Sequence, residues 1–153
     1  LSQIASQLAL FEAAPGRLTQ VQGVHGARLI NDTYNANPSS VTAAVVAVQS
    51  LPGDSWMALG DLAELGEEGV RLHQELGKNI KSLGISRLFT IGAQSQAAAT
   101  AFGDGAEHFN SLDEMIERLK SCLTKNICLV VKGSRSAGME RVVTALQAPE
   151  ECA

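Results

Sequence analysis

The chain has 153 residues, 45% of them hydrophobic and 18% charged, the length and balance of a single domain with one real core. Its 12 Lys and Arg against 16 Asp and Glu give a formal net charge of −4, and the scattered charges show none of the basic face that nucleic-acid binding requires. With 14 Gly and 4 Pro, collagen-like, low-complexity and disordered chains are excluded as well.

Leu1, Ile4, Leu8 and Phe11 recur at helical spacing and stop at Pro15-Gly16, which predicts a short lead-in helix. Two β-like runs, 17–22 and 27–31, flank Gly23 and Gly26 and read as a hairpin. Asn37-Pro38 then opens a helix expected over 39–50, with Asn as cap and Pro in the first turn. A strand at Trp56-Met57-Ala58-Leu59 and an amphipathic helix over 67–83 follow. Next come a strand over 88–92, a small-residue helix over 94–101 and a weak strand over 107–109. Ser111 with Glu114 predicts a capping box. The last strong strand is 127–131 and the last helix 138–146, with a frayed tail beyond Gln147. Apolar strands alternating with helices point to an α/β fold: a doubly wound, mostly parallel sheet that starts with an antiparallel hairpin.

No apolar stretch approaches the roughly 20 residues that cross a bilayer, and the amino end lacks a basic n-region. No membrane insertion is therefore expected, and the chain is assigned to the cytoplasm. Cys122, Cys128 and Cys152 form no C-x-x-C pair, so buried or idle thiols in a reducing compartment are expected. His25, His73 and His108 lack metal-site spacing.

Ligands of parallel sheets bind beyond the carboxyl ends of the strands, where helix amino ends also point. Three loops at that edge are rich in polar residues. The first, Asn31 to Pro38, holds Asp32, Tyr34, Asn35 and Asn37; it suits a sugar hydroxyl, a hydrated cation or a peptide, and equally suits plain capping and turn chemistry. In the second, Gly60 to Gly66, Asp61 and Glu64 suit an ammonium group, or Glu64 merely favours a helix amino end. The third, Lys132 to Gly138, offers Lys132 and Arg135 to a carboxylate or phosphate. No Walker loop, G-x-G-x-x-G or G-x-S-x-G motif occurs, so the chain has no phosphate cradle or nucleophile elbow of its own. A zwitterionic ligand fits this set better than a dinucleotide.

Gly16-Arg17-Leu18, Asn31-Asp32-Thr33-Tyr34-Asn35-Ala36-Asn37-Pro38-Ser39-Ser40, Leu59-Gly60-Asp61-Leu62-Ala63-Glu64-Leu65-Gly66 and Lys132-Gly133-Ser134-Arg135 with Met139-Glu140 resemble, in order and spacing, the carboxy-terminal domain of the Mur ligases. Within that family the chain is most similar to the branch that joins D-alanyl-D-alanine to UDP-N-acetylmuramoyl-tripeptide in peptidoglycan precursor synthesis. The sibling branch adding diaminopimelate or lysine is expected to show D-Y-A-H-x-P and D-N-P-R, where this chain has Tyr34-Asn35-Ala36-Asn37-Pro38 and Asp61-Leu62-Ala63-Glu64.

The resemblance implies that residues 1–15 end a preceding ATPase domain and its linker, that 16–147 are the carboxy-terminal domain, and that 148–153 are the tail. It implies ATP and Mg2+ for the complete ligase, with neither held tightly by this chain alone. The partners would be the amino-terminal and central ATPase domains. ATP would activate the tripeptide carboxylate as an acyl phosphate, which the dipeptide amine attacks. Arg17 and Asp32 would bind the nucleotide, with Asp32 on the ribose, while Tyr34, Asn35 and Asn37 line the junction near the reacting groups. Asp61, Glu64, Lys132, Ser134 and Arg135 would form the acceptor pocket; no catalytic residue is expected on this chain alone. The alternative is a free-standing, non-catalytic α/β module for a small zwitterion. The folylpolyglutamate and cyanophycin ligases are a weaker third choice.

Overall fold

The computed structural model describes residues 16–149; the lead-in helix expected over Leu1 to Phe11 lies outside them. Thr19–Gln22 (β1) and Arg28–Asp32 (β2) pair antiparallel through a 3₁₀ turn at Val24–Gly26. The remaining elements alternate: Pro38–Gln49 (α1), Asp54–Gly60 (β3), Gly69–Ser82 (α2), Arg87–Ile91 (β4), Ser95–Phe102 (α3), Ala106–Phe109 (β5), Leu112–Cys122 (α4), Ile127–Lys132 (β6) and Glu140–Leu146 (α5). The six strands form one sheet in the order β1-β2-β6-β3-β4-β5, parallel except for the β1–β2 pair. This is the expected doubly wound sheet with its opening hairpin.

Local chemistry sets the helix starts. Asn37 caps α1 through Oδ1, which accepts from the Ser40 amide at 2.8 Å, and Ser40 Oγ accepts from the Asn37 amide at 3.0 Å. The expected box at Ser111 is half present, because Ser111 Oγ accepts from the Glu114 amide at 3.2 Å without the reciprocal bond. The helix expected from residue 67 begins as a 3₁₀ turn, Gly66–Glu68, and becomes α-helical at Gly69. The last helix starts later than expected, at Glu140, because Arg135–Ala137 form a 3₁₀ turn closed by Gly138 at φ +68°. Ala148, assigned to the frayed tail, donates its amide to the Gln22 carbonyl at 2.9 Å; the outer edge of β1 leaves that acceptor open.

The period of two along each strand divides the core into two layers. Ile30, Met57, Leu59, Leu88 and Val130 pack under α1, α2 and α3 with Val41, Val45, Ile80 and Phe102. Leu29, Trp56, Ala58, Phe89, Leu129 and Val131 pack under α4 and α5 with Met115, Leu119, Val142 and Leu146. Cys128 belongs to the first layer, and burial pushes its thiol up to about 11, which makes it unreactive at neutral pH.

At Gly77 α2 lies directly against α3: a Cβ there would lie 2.2 Å from the Ala98 carbonyl oxygen. Gly to Ala inside a helix ordinarily stabilises by about 1 kcal/mol. Here the sign reverses, and Gly77→Ala should cost about 2 kcal/mol, the range of overpacking a close contact. Equilibrium urea unfolding reads it; a stabilised variant would contradict the contact.

Candidate functional site

The helices after β2, β3 and β4 cover one face of the sheet and the helix after β6 the other, so the connections diverge beside the carboxyl end of β6. Such a point of divergence opens a crevice at the strand ends. All three polar loops leave the sheet there, following β2, β3 and β6. The Gly92 to Gln94 segment after β4 is a fourth neighbour that the sequence reading did not single out.

Close backbone approach holds the second and third loops together. A Cβ on Gly60 would lie 2.7 Å from the Ala137 Cβ, and one on Gly133 would lie 3.2 Å from the Gly60 Cα. The Ser134 amide donates to the Asp61 carbonyl at 3.0 Å. Behind them, buried His73 braces the second loop: its Nε2 accepts from the Leu62 amide at 3.2 Å while Nδ1 lies 2.6 Å from the Gly69 carbonyl. An amide can only donate and a carbonyl only accept, so the ring is neutral with its proton on Nδ1.

The first loop uses its side-chain oxygens locally. Asn31 Oδ1 accepts from the Thr33 amide and hydroxyl, and Asn35 Oδ1 from the Ala36 amide. Asn37 Oδ1 serves the α1 cap. The capping alternative therefore accounts for these oxygens, and the NH2 groups of Asn35 and Asn37 remain for a ligand.

Asp32 and Lys132 are 8% and 2% exposed and form a buried ion pair, with Lys132 Nζ 2.7 Å from Asp32 Oδ2. The same ammonium donates to the Asn35 carbonyl at 3.0 Å, and the Leu18 amide donates to Asp32 Oδ1 at 3.3 Å. Lys132 is thus not a free cation; its charge is engaged by the first loop.

A cleft of about 270 Å³ opens beside this pair, lined by Arg17, Asp32, Tyr34, Asn35, Asn37 and Lys132. Tyr34, 41% exposed, separates it from a second cleft of about 440 Å³ that Arg135 and Glu140 line. The Arg17 and Arg135 guanidinium carbons lie 4.3 and 5.4 Å from the Tyr34 ring centroid, so both cations rest on one aromatic platform.

Asp61 lines a third cleft of about 260 Å³ with Ile91, Gly92, Ser136 and Ala137. Its carboxylate also serves α3: Oδ1 accepts from the Ser95 amide at 2.7 Å and Oδ2 from the Gln94 amide at 3.2 Å. Ser134 is buried, its hydroxyl 3.1 Å from that of Ser136. Glu64 is exposed at φ +62° and lines none of these clefts. The structure therefore gathers Arg17, Asp32, Tyr34, Asn35, Asn37 and Lys132 around one cleft, sets Arg135 across Tyr34 from it, and puts Asp61 in a neighbouring one. Ser136 and Ala137 are lining residues within the third loop that its motif did not single out, and Gly92 lies outside all three loops and is brought in only by the strand order.

Among the described residues no cluster of three His, Cys, Asp or Glu is arranged to hold a metal ion, and no helix is long and apolar enough to cross a membrane.

Fold and site together define an α/β domain with a group of polar clefts at the carboxyl edge of its sheet. The family model for the Mur ligase, glutamate ligase domain, matches residues 16–135, and the chain belongs to that family. The UDP-N-acetylmuramoyl-tripeptide–D-alanyl-D-alanine ligase of Escherichia coli K12 is 44% identical over 99% of this chain and 34% of its own length. A MurF structure from Acinetobacter baumannii is 29% identical with a TM-score of 0.77, over 86% of this chain and 30% of that one. MurF from Thermotoga maritima, in complex with ADP, has the same TM-score at 22% identity, over 87% of this chain and 30% of that one; that likeness speaks for the fold. The chain spans about a third of the length of these relatives.

Proposed function

We propose that this chain is the carboxy-terminal part of an ATP-dependent carboxylate–amine ligase that adds D-alanyl-D-alanine to UDP-N-acetylmuramoyl-tripeptide in peptidoglycan precursor synthesis in the cytoplasm. The observation that carries the reading is that the first and third loops meet at Tyr34, which borders the Arg17–Asp32 cleft on one side and the Arg135 cleft on the other, with the Asp61 cleft beside them. The 44% identity to the Escherichia coli ligase supports the choice of branch.

In this reading the absent amino-terminal and central domains hold the uridine precursor and the phosphates and Mg2+ of ATP, because this chain has neither a phosphate loop nor a metal cluster among its described residues. Arg17 and Asp32 close over the nucleoside end. Asp32, held on its inner side by Lys132 and the Leu18 amide, has lone pairs left for ribose hydroxyls. Arg135, exposed and resting on Tyr34, pairs with the dipeptide carboxylate. Asp61 holds the dipeptide amine, with Ser136 and Gly92 bordering that side. Closure of the domain then brings the amine to the activated tripeptide carboxyl.

In the ligase that carries this domain, Arg135→Ala should lower kcat/KM for D-alanyl-D-alanine by about tenfold to a hundredfold, the value of one charge-assisted pair, with the KM for ATP changing less than twofold. Steady-state kinetics in each substrate decides it. Unchanged dependence on the dipeptide would remove Arg135 from the acceptor pocket.

A further inference from the structure

We propose that Lys132 is a positioning residue of the nucleotide side, holding the Asp32 carboxylate and the Asn35 carbonyl in place, and that it makes no contact with the acceptor dipeptide. The proposal rests on the reading of Asp32 as the ribose-facing carboxylate and extends it to a residue whose motif alone suggested the acceptor.

Strand register is the first ground. Asp32 and Lys132 are direct partners on the parallel strands β2 and β6, and residues two apart on a strand share a face. Ile30 and Val130, two positions earlier, both lie in the layer under α1, α2 and α3, so Asp32 and Lys132 end their strands on that face, beside the first loop. Beyond Gly133 the chain crosses to the other layer, where Ala137 and Met139 pack. Lys132 and Arg135 belong to one motif, yet they line different clefts, on either side of Tyr34.

Burial is the second ground. With 2% exposure, the ammonium commits two of its three protons to Asp32 and the Asn35 carbonyl and borders the cleft on their side. A ligand carboxylate on the same nitrogen would bring a second anion against Asp32 in a dry setting, where like charges repel strongly. Through its two bonds Lys132 determines instead where Asp32 points and where the backbone between Tyr34 and Ala36 runs.

The test uses Asp32→Asn as the background: removing Lys132 alone strands a buried carboxylate and endangers folding, whereas Asp32→Asn leaves the ammonium the Asn35 carbonyl and an amide oxygen as acceptors. In the ligase carrying this domain, Asp32→Asn should raise the KM for ATP about tenfold, as loss of one polar contact does. Adding Lys132→Met should change the KM for ATP and the KM for D-alanyl-D-alanine less than twofold further, since the carboxylate it orients is gone and only the Asn35 carbonyl remains to it. A tenfold rise in the dipeptide KM on adding Lys132→Met would show direct acceptor contact and overturn the proposal. An unchanged KM for ATP in Asp32→Asn itself would overturn the reading of Asp32 instead, a result the first outcome cannot mimic. A second measurement needs no variant: in the isotope-labelled chain, ADP should shift the Leu18 and Ala36 amides and D-alanyl-D-alanine should leave both unmoved. Dipeptide-induced shifts at those two amides would overturn the assignment.

Discussion

Replacing Lys132 by Met should remove about 3 to 5 kcal/mol of folding stability, the range for a buried ion pair that loses one partner. Asp32 is 8% exposed and 2.7 Å from the ammonium, so the variant leaves an ionised carboxylate in a site that water barely reaches. The Asn35 carbonyl loses its donor in the same step. Since a domain is held by roughly 5 to 15 kcal/mol in total, this one substitution consumes a large part of the margin. Asp32→Asn together with Lys132→Met removes both charges and should recover most of the loss, because neutral groups of similar shape avoid the desolvation penalty. Urea unfolding of the wild type, both single variants and the double variant measures the coupling. Losses that simply add would mean that the two groups do not share one buried interaction.

Asp61→Ala should cost about 3 kcal/mol, well above the approximately 1 kcal/mol of an ordinary helix cap. The Asp61 carboxylate receives the Gln94 and Ser95 amides at the start of α3 from a different loop, and hydrogen bonds to a charged group contribute about 1.5 to 3 kcal/mol each. The helix has eight residues, too few to hold its own first turn without a partner. Gly92 permits this approach, since a Cβ there would lie 2.4 Å from the Asp61 Cγ. Asp61→Asn keeps one acceptor oxygen and should lose about half as much. Amide exchange at Gln94 and Ser95 should accelerate in both variants. Protection that persists in Asp61→Ala would show that α3 is held by its packing on α2 alone.

Much of the fold was legible in the residues. The alternation of apolar strands with capped helices announced a parallel sheet, and Asn37-Pro38 marked the start of α1 to within one residue, because caps are a matter of neighbours along the chain. Boundaries slipped where the backbone leaves regular geometry: the 3₁₀ turns at Gly66–Glu68 and Arg135–Ala137 carry residues that also suit an α-helix. At the site, the expected parallel sheet placed the three polar loops on one edge, and the structure puts them there, after β2, β3 and β6. His73 offered no adjacent signal, since its bonds to Leu62 and Gly69 join a helix to the loop ahead of it.

The sequence by itself determined which residues are polar at the strand ends and which family they resemble, since both are properties of local order and spacing. Only the tertiary structure decided who faces whom. Lys132 and Asp32 are 100 positions apart and meet because β6 inserts between β2 and β3. Asp61 holds α3 because β4 lies beside β3, and Arg17 and Arg135 share the Tyr34 ring because the first and last parts of the domain end at one crevice. The physical reason is that a side chain's charge acts over a few ångströms of space, and strand order, which long-range packing selects, sets which charges come within that distance.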